Sequence, residues 1–317
     1  MDSSFQGILQ HHGQQMAVGF KYVFDAILKH SKLDIVLIRI SSVTEASFHA
    51  SFEARVSNTG PAKAILSPMT IELCGPQGCF GKLTLPEFNT TPGGAYIEVK
   101  CQLVEITDKA ALLAFVNTII KDTNATLSLK NGMGAVTVPS FGIGPRSLPY
   151  ERDIPIKGMN LSEVSVKLVD TTSRPSTTTS LSMGTTGLAS RTNLTVVFHV
   201  LNPSPVELSF SICEFEIRNE RDELFAVLKG RLDMRSDYFD VTLYGAADKR
   251  VSLEEGKARL VGKRCAGAGW CDETVKGINV PISDVWRLRR ELGLEFERPP
   301  PPPPSLFRWR GFWFHRP

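Results

Sequence analysis

An internal duplication is the feature that most limits what this chain can fold into. Residues 52–58 (FEARVSN) and residues 196–202 (VVFHVLN) align at a shift of 144 positions, and without a gap residues 71–73 then align with residues 215–217. In both copies apolar side chains recur at every second position, which is typical of a strand with one face in a core. Each copy then reaches an Asn, a residue that favours turns. The sequence therefore predicts two copies of one strand–turn–strand unit.

The length and the spacing of the turns extend this prediction to the whole chain. A chain of 317 residues fits two domains of about 150 residues each, and short strands with turn signals at regular intervals are typical of antiparallel β-sandwiches. We predict an N-terminal helical segment (residues 1–32), a first β-sandwich (33–160), a second β-sandwich (161–290) and a disordered Pro-rich tail (291–317).

One amphipathic helix is predicted inside the first sandwich. Asp108 is a suitable N-cap, and the residues after it form an apolar stripe at helical spacing. The stripe consists of Ala111, Leu112, Phe115, Val116, Ile119 and Ile120. Beyond it, Gly256 matches Gly132 at a shift of only 124 positions, so the second sandwich is predicted to lack about 20 residues where the first has its helix. Residues 285–292 predict a further short helix.

Charge and hydropathy argue against two classes of partner or location. The net charge is +3, but Arg298, Arg308, Arg310 and Arg316 contribute four positive charges with no acid after Glu297, so the rest of the chain is near −1. A nearly neutral body disfavours nucleic-acid binding, which needs clustered cations. No run of about 20 apolar residues is present to form a transmembrane helix, and the polar N-terminus lacks the apolar core of a signal peptide.

The two ends of the chain each allow two interpretations. Residues 5–30 predict an amphipathic helix that lies on a membrane surface or, as we favour because it has few cations, either packs on the first sandwich or is the remnant of a longer segment. Six prolines at 299–304 predict a polyproline II spacer. The segment 307–315 interleaves Arg with aromatic residues, which suits a membrane interface. The alternative is a tail without a role.

The cysteines are the first candidates for a chemical site. Cys74 and Cys79 flank a short turn, as do Cys265 and Cys271. These four could form a zinc site, but hairpin disulfides or free thiols are favoured because the spacings are wider than the usual two-residue knuckle. The sequence leaves the oxidation state of the four open.

Other reactive residue types form no constellation. His49 and His199 are predicted on the outward faces of their strands, and the Gly-rich stretch 262–269 reads as a surface loop or, as the less favoured alternative, an anion-binding nest. We therefore predict no catalytic, cofactor-binding or metal-binding residue, no cofactor and no enzyme activity.

Four segments carry a resemblance to a known family. They are residues 56–61 (VSNTGP), 81–86 (GKLTLP), 112–116 (LLAFV) and 156–161 (IKGMNL). With the duplication, they resemble the LEA-2/WHy type of β-sandwich, and more closely the fungal DUF3712 family, which includes a vacuolar-membrane protein that terminates autophagy. The resemblance covers about residues 33–290. It implies tandem LEA-2-like or fibronectin-like sandwiches, a vacuolar membrane or lumenal location, and no established catalytic residues.

These observations lead to three functional hypotheses. The first is a non-enzymatic tandem β-sandwich protein of the fungal vacuolar type that associates with a membrane or with another protein. The second is a lipid-binding or lipid-transfer module with an apolar seam between the sandwiches. The third is an uncharacterised enzyme. Membrane lipid or a membrane protein is the expected partner, and the oligomeric state is left open.

Overall fold

The computed structural model describes residues 31–59, 63–139, 143–171 and 191–294. The described chain is mainly β, with two sheets and three short helices. The first unit consists of β1 (Lys32–Ser41), β2 (Ser47–Ser57), β3 (Ala64–Leu66), β4 (Met69–Gly75), β5 (Gly78–Leu85), β6 (Phe88–Thr90), β7 (Ala95–Glu105), α1 (Lys109–Lys121), β8 (Asn124–Val138) and β9 (Ile143–Lys157). The second unit consists of β10 (Val164–Asp170), β11 (Arg191–Asn202), β12 (Val206–Arg218), β13 (Leu224–Met234), β14 (Asp237–Asp248), β15 (Arg259–Cys265), α2 (Gly269–Lys276), β16 (Asn279–Ser283) and α3 (Val285–Glu291). The helix predicted over residues 5–30 and the part of the predicted tail after residue 294 fall outside the described residues.

The two units have the same strand pairing. In the first unit β1 pairs with β2 and β2 with β7, while β4 lies between β5 and β8, and β8 also pairs with β9. In the second unit β10 pairs with β11 and β11 with β14, which repeats the β1–β2–β7 set. Strand β12 lies between β13 and β15, and β15 also pairs with β16, which repeats the set formed by β5, β4, β8 and β9. Pairs between β13 and β14 and between β10 and β16 then join the two sets into a closed ring of strands. The duplication predicted from the sequence is therefore present in the hydrogen-bonding pattern.

A shared β-bulge confirms the predicted register of the repeat. The register of the β1–β2 pair changes by one residue at a bulge between Ala54 and Glu53 of β2. The register of the β10–β11 pair changes in the same way between Phe198 and Val197 of β11. These positions are 144 residues apart. The same shift relates β7 to β14, because Phe52 faces Val99 in one unit and Val196 faces Leu243 in the other.

The predicted register beyond the helix is wrong. Leu73 faces Leu129 in the first unit and Ile217 faces Leu260 in the second, so β8 and β15 are related by 131 positions rather than 124. The shortening lies where it was predicted, between β7 and β8, but it amounts to 13 residues (144 − 131). Gly256 lies in a turn before β15 with a φ of 71°, so its match to Gly132 was a coincidence of turn residues.

The first helix forms as its sequence predicts. The Asp108 side chain accepts hydrogen bonds from the backbone N–H groups of Ala110 and Ala111, at 2.8 and 3.0 Å, and the six residues of the predicted stripe are all buried. The stretch around Gly132, which turn chemistry would assign to a turn, is an irregularity within the continuous strand β8, where Asn131 takes a φ of 54°. A single residue in the left-handed region kinks the strand without ending it.

Helix α3 confirms the prediction for residues 285–292, whereas helix α2 was not predicted. We expected a turn between Cys265 and Cys271, but Cys271 lies inside α2. That helix approaches β15 closely, because a Cβ at Gly262 would lie 2.0 Å from the carbonyl oxygen of Val275. Gly262 therefore permits the close packing of α2 on β15.

The two units are joined by a parallel strand pair and by polar contacts. Strand β1 pairs with the start of β12, where Arg39 lies beside Glu207, and the Arg39 Nε donates to Glu207 Oε2 at 2.8 Å. Glu207 is 7% exposed, and its other oxygen accepts from the backbone N–H and the hydroxyl of Ser236 at 3.2 and 3.1 Å. The Trp270 indole of α2 donates to the Thr44 carbonyl at 3.0 Å. One apolar core runs through both units.

Candidate functional site

The outer face of strands β10, β11 and β14 carries the largest group of exposed apolar side chains among the described residues. Four large side chains on it are each more than half exposed: Leu168, Leu201, Tyr238 and Tyr244. We call this surface the Tyr238 face and define it by Lys167, Leu168, His199, Leu201, Tyr238, Asp240 and Tyr244. Single exposed apolar residues are ordinary, whereas several on one face of neighbouring strands are a candidate interaction site.

Strand alternation and the bulge together build this face. The inward residues of β11 are buried, so their neighbours point outward, as His199 was predicted to do. On β14, Asp240 lies opposite His199, and Tyr238 lies opposite Leu201. The bulge in β10 leaves the consecutive residues Lys167 and Leu168 both exposed.

A small polar cluster lies at the centre of the face. His199 Nδ1 is 2.9 Å from Asp240 Oδ1, and Lys167 Nζ is 2.5 Å from Asp240 Oδ2. The hydrogen bond from Lys167, and then that with His199, hold the pKa of Asp240 below its ordinary value. The His199 ring stacks on the Tyr238 ring, with 5.1 Å between centroids and 8° between planes. The ion pairs and the stacking hold the polar centre and one aromatic side chain in a defined arrangement.

The same strands bring Ser165, His199 and Asp240 into one row. Ser165 lies opposite His199 on β10, as Asp240 does on β14. However, the Ser165 hydroxyl donates to the backbone carbonyl of His199 at 3.3 Å, and no hydrogen bond between Ser165 and the imidazole is formed among the described residues. A nucleophilic serine requires that second bond and donors for an oxyanion. The row therefore lacks the Ser–His hydrogen bond of a nucleophilic triad in this structure.

The first unit offers an internal comparison, because its equivalent face has a different chemistry. At the 144-residue shift, Val197, His199 and Asp240 correspond to Glu53, Arg55 and Tyr96. Thr242 and Tyr244 correspond to Glu98 and Lys100. The Lys100 Nζ lies 3.0 Å from Glu98 Oε1, so these two first-unit residues form an ion pair. The fold thus accepts charged residues on this face of the first unit. The apolar and aromatic residues of the Tyr238 face are therefore not required by the strand pairing.

The cysteines do not form the four-cysteine zinc site considered above. Cys74 and Cys79 form a disulfide across the β4–β5 hairpin, whereas Cys265 and Cys271 are free thiols and Cys265 instead faces Cys213. In the part of the chain that the structure describes, Glu72 with Cys74 and Cys79 is the one group with metal-ligand spacing. Two of its three members are sulfurs of the disulfide and cannot act as thiolate ligands.

The candidate anion nest at residues 262–269 is occupied by the protein itself. The backbone N–H of Gly269 at the start of α2 donates to the carboxylate of Glu45, which belongs to the loop between β1 and β2. Glu45 also pairs with Lys109 of α1 at 2.8 Å. Its hydrogen bonds to Lys109 and then to Gly269 hold the pKa of Glu45 below its ordinary value. This loop therefore contributes to the contact between the two units.

The cavities described within the units are small and apolar. One has a volume of about 40 Å³, lies in the first unit and is lined by residues that include Leu33, Leu66, Phe88, Tyr150 and Arg152. Burial raises the pKa of Tyr150. Two further cavities of about 30 and 20 Å³ lie inside the second and the first unit. A lipid-sized pocket needs roughly 300 Å³ or more.

The fold and the exposed face define a β-sheet protein with a candidate interaction surface. Residues 79–216 match the model of a family described as "Protein of unknown function (DUF3712)", which supports the resemblance noted from the sequence. No curated protein matches the chain. Among solved structures, the chain is similar to a bacterial adhesin from Mobiluncus mulieris that contains intramolecular disulfide, isopeptide and ester bond cross-links. The identity is 7%, the match covers 73% of this chain and 80% of the adhesin chain, and the TM-score is 0.20, so the likeness carries no argument about fold or function.

No helix among the described residues is both long and apolar enough to cross a membrane.

Most of the Tyr238 face was not predicted from the sequence. The missed signal is the alternation in residues 237–244, where Tyr238 and Tyr244 occupy outward positions. Extending the 144-residue shift through β14 would have placed Tyr238 next to His199 and Tyr244 farther along the same face, opposite Thr195.

The polar cluster makes a prediction for acid titration. Because the pKa of Asp240 is lowered, its carboxylate should stay ionised below the ordinary value of about 3.9. The pairing with Lys167 should therefore persist at about pH 3.9 and be lost only as the pH falls further, through the lowered pKa of Asp240. We expect Lys167→Ala to move the Asp240 midpoint upward, as measured by the side-chain carboxyl ¹³C shift during an NMR titration. Lys100→Ala, in the matched face of the first unit, should leave the midpoint unchanged. An unchanged midpoint in Lys167→Ala would contradict the ion pair.

Proposed function

We propose that this chain is a non-enzymatic tandem β-sandwich protein of the LEA-2-like type that binds a protein partner through the Tyr238 face. The observation that carries the proposal is the contrast between the equivalent faces of the two units. The first-unit face carries Glu53, Arg55, Glu98 and Lys100 beside one half-exposed tyrosine, whereas the second-unit face exposes two tyrosines and two leucines around the cluster of Lys167, Asp240 and His199. The shared strand pairing supports the tandem organisation with units at about 33–160 and 161–290.

The chemistry of the face favours a protein over a lipid surface. Tyr is enriched in the energetically important centres of protein interfaces. Binding to an anionic membrane would instead favour an excess of cations. Lys167 and Asp240 carry opposite charges and form an ion pair, so the two together offer no excess of cations. An aromatic surface around a charge-balanced pair suits a partner that presents its own apolar patch with polar groups at the rim.

Photo-crosslinking tests this function. A photoreactive phenylalanine analogue would replace Tyr238 or, as the matched control on the first unit, Tyr96, which is 49% exposed. We expect a discrete protein adduct from position 238 and none from position 96 when the cells that express the protein are irradiated. The adduct should disappear when Tyr244 and Leu201 are changed to Ser in the same chain. Equal adducts from both positions, or none from position 238, would overturn the proposal.

Membrane association through the tail is a separate part of the proposal. The Arg and aromatic residues at 307–315 support it, and the family resemblance supports a fungal vacuolar location. Co-sedimentation with vesicles of phosphatidylcholine and phosphatidylserine, with and without residues 299–317, tests it. Loss of binding on removal of the tail is the expected result, and absence of binding by both chains would refute it.

The lipid-binding alternative has less support. The three cavities described above each lie within one unit, whereas that hypothesis places an apolar seam between the units. The contact between the units, as far as the structure describes it, includes the parallel pair of β1 with β12 and the Arg39–Glu207 ion pair.

A further inference from the structure

Two buried thiols face each other across strands β12 and β15. Cys213 and Cys265 are direct partners in the antiparallel pairing, and their Sγ atoms are 3.1 Å apart. Both are free thiols, 0% and 7% exposed. The sequence suggested no relation between them, because 52 positions separate them and Cys265 was considered together with Cys271.

The backbone around this pair has the geometry of a cross-strand disulfide. The N–H of Ala266 donates to the carbonyl of Ile212 at 2.8 Å, so these flanking residues form a hydrogen-bonded pair. Cys213 and Cys265 consequently occupy the adjacent non-hydrogen-bonded position, where Cα atoms are about 4.5 Å apart and side chains are closest. A disulfide accepts Cα separations of about 4.4–6.8 Å. Closing the sulfurs to a bond of about 2.05 Å requires a movement of about 1 Å.

The two thiols are not equivalent. The Cys213 thiol donates to the Cys265 sulfur, which holds the pKa of Cys265 below its ordinary value, while the same hydrogen bond and burial raise the pKa of Cys213. Cys265 also lies at the end of β15, next to a turn in which Gly267 has a φ of 112°. Cys265 is therefore the thiol that becomes a thiolate more readily, and it is the more exposed of the two.

We propose that Cys213 and Cys265 are an oxidation site that closes to a disulfide between β12 and β15 in the presence of a low-molecular-weight disulfide. The Cys265 thiolate attacks one sulfur of the small disulfide, forms a mixed disulfide and releases one small thiolate. Cys213 then loses its proton to solvent and its sulfur attacks Cys265 Sγ, which releases the second small thiolate. The two protein thiols are oxidised, and one small disulfide is reduced to two thiols after the released thiolates take up two protons.

A third thiol, Cys271, provides an internal competitor. It lies in α2 and is fully buried, and burial raises its pKa. Its place in a helix rather than on the facing strand gives it no strand-pair geometry with Cys265. The link should therefore join Cys265 to Cys213 and not to Cys271.

Oxidised glutathione provides the test. The full chain would be incubated with it in native buffer, the remaining thiols alkylated, and the protein digested without reductant for mass spectrometry. We expect a linked peptide pair containing Cys213 and Cys265 in most molecules, also in Cys271→Ser, and a rise in melting temperature of about 5–10 °C. In Cys213→Ser, Cys265 should retain one glutathionyl group, and it should react at least about ten times faster than Cys213 does in Cys265→Ser.

Exposed Cys101 serves as the positive control for the oxidant, because it should acquire glutathione in every variant. The proposal is overturned if Cys101 is modified while Cys213 and Cys265 both remain open to alkylation, or if the link joins Cys265 to Cys271. The linked peptides found by mass spectrometry in the unmutated chain decide between these outcomes even if a serine variant fails to fold.

Discussion

Arg39→Met should lower the free energy of unfolding by about 3 kcal/mol, because it leaves the Glu207 carboxylate buried without its main cationic partner. The Arg39 guanidinium contacts Glu207 Oε2 through two nitrogens, at 2.8 and 2.5 Å. The next cation, Arg235, is 3.7 Å away and 46% exposed, and Ser236 supplies the remaining hydrogen bonds. The expected loss is at the lower end for a broken buried ion pair because the Arg39 side chain is one-third exposed, at 33%. Urea unfolding of the full chain measures the change.

The double variant Arg39→Met/Glu207→Leu distinguishes a buried charge from simple loss of packing. Replacing both partners by apolar residues removes the desolvated charge, so its stability should return to within about 1 kcal/mol of the original chain. Lys32→Met on the same strand is the matched control, because its pair with Asp34 is exposed and should be worth less than about 0.5 kcal/mol. A double variant as unstable as Arg39→Met would contradict this explanation.

Phe115→Ala should lower the free energy of unfolding by about 4 kcal/mol. Phe115 is 2% exposed on α1, and its ring stacks on Phe80 of β5 with 5.2 Å between centroids. Truncation removes a buried aromatic ring, leaves a cavity and loses the ring pair, and such changes typically cost 3–5 kcal/mol. The backbone of Gly75 approaches so closely that a Cβ there would lie 2.8 Å from Phe115 Cβ. Neighbouring groups are therefore held in place by the hairpin and cannot easily fill the space.

Leu103→Ala is the control for this variant, since Leu103 is apolar but 54% exposed on β7. It should change the stability by no more than about 0.5 kcal/mol. Thermal or urea unfolding of both variants makes the comparison. A cost below about 1.5 kcal/mol for Phe115→Ala would mean that α1 is not part of the cooperative core.

The parts of the fold that were predictable depend on local pattern. The stripe of α1, its Asp108 cap and the matching strands β2 and β11 each follow from side-chain periodicity, which a single segment carries on its own. The register after α1 was wrong because turn residues such as Gly256 and Gly132 recur in unrelated turns. Helix α2 was missed because its eight residues have only a short apolar stripe, and its formation depends on packing against β15 through Gly262.

The candidate site was only partly predictable. Alternation placed His199 on the outward face correctly, but it gave no reason to group it with Asp240 or Tyr238, 41 and 39 positions away. There was likewise no reason in the sequence to group Cys213 with Cys265, because Cys265 was considered with Cys271 and the two strands are distant in the chain. Pairs of this kind meet only when strands distant in the chain become neighbours in a sheet.

The sequence by itself determined the duplication, the strand alternation and the amphipathic helix, because these depend on interactions between residues close together in the chain. Only the tertiary structure decided that β1 of the first unit pairs with β12 of the second, and that Glu45 occupies the Gly-rich nest. It also decided that the apolar outward residues of one unit gather into the Tyr238 face. The physical reason is that strand pairing acts between segments far apart in the chain, where local periodicity specifies which side of a strand is buried but not which strand lies beside it.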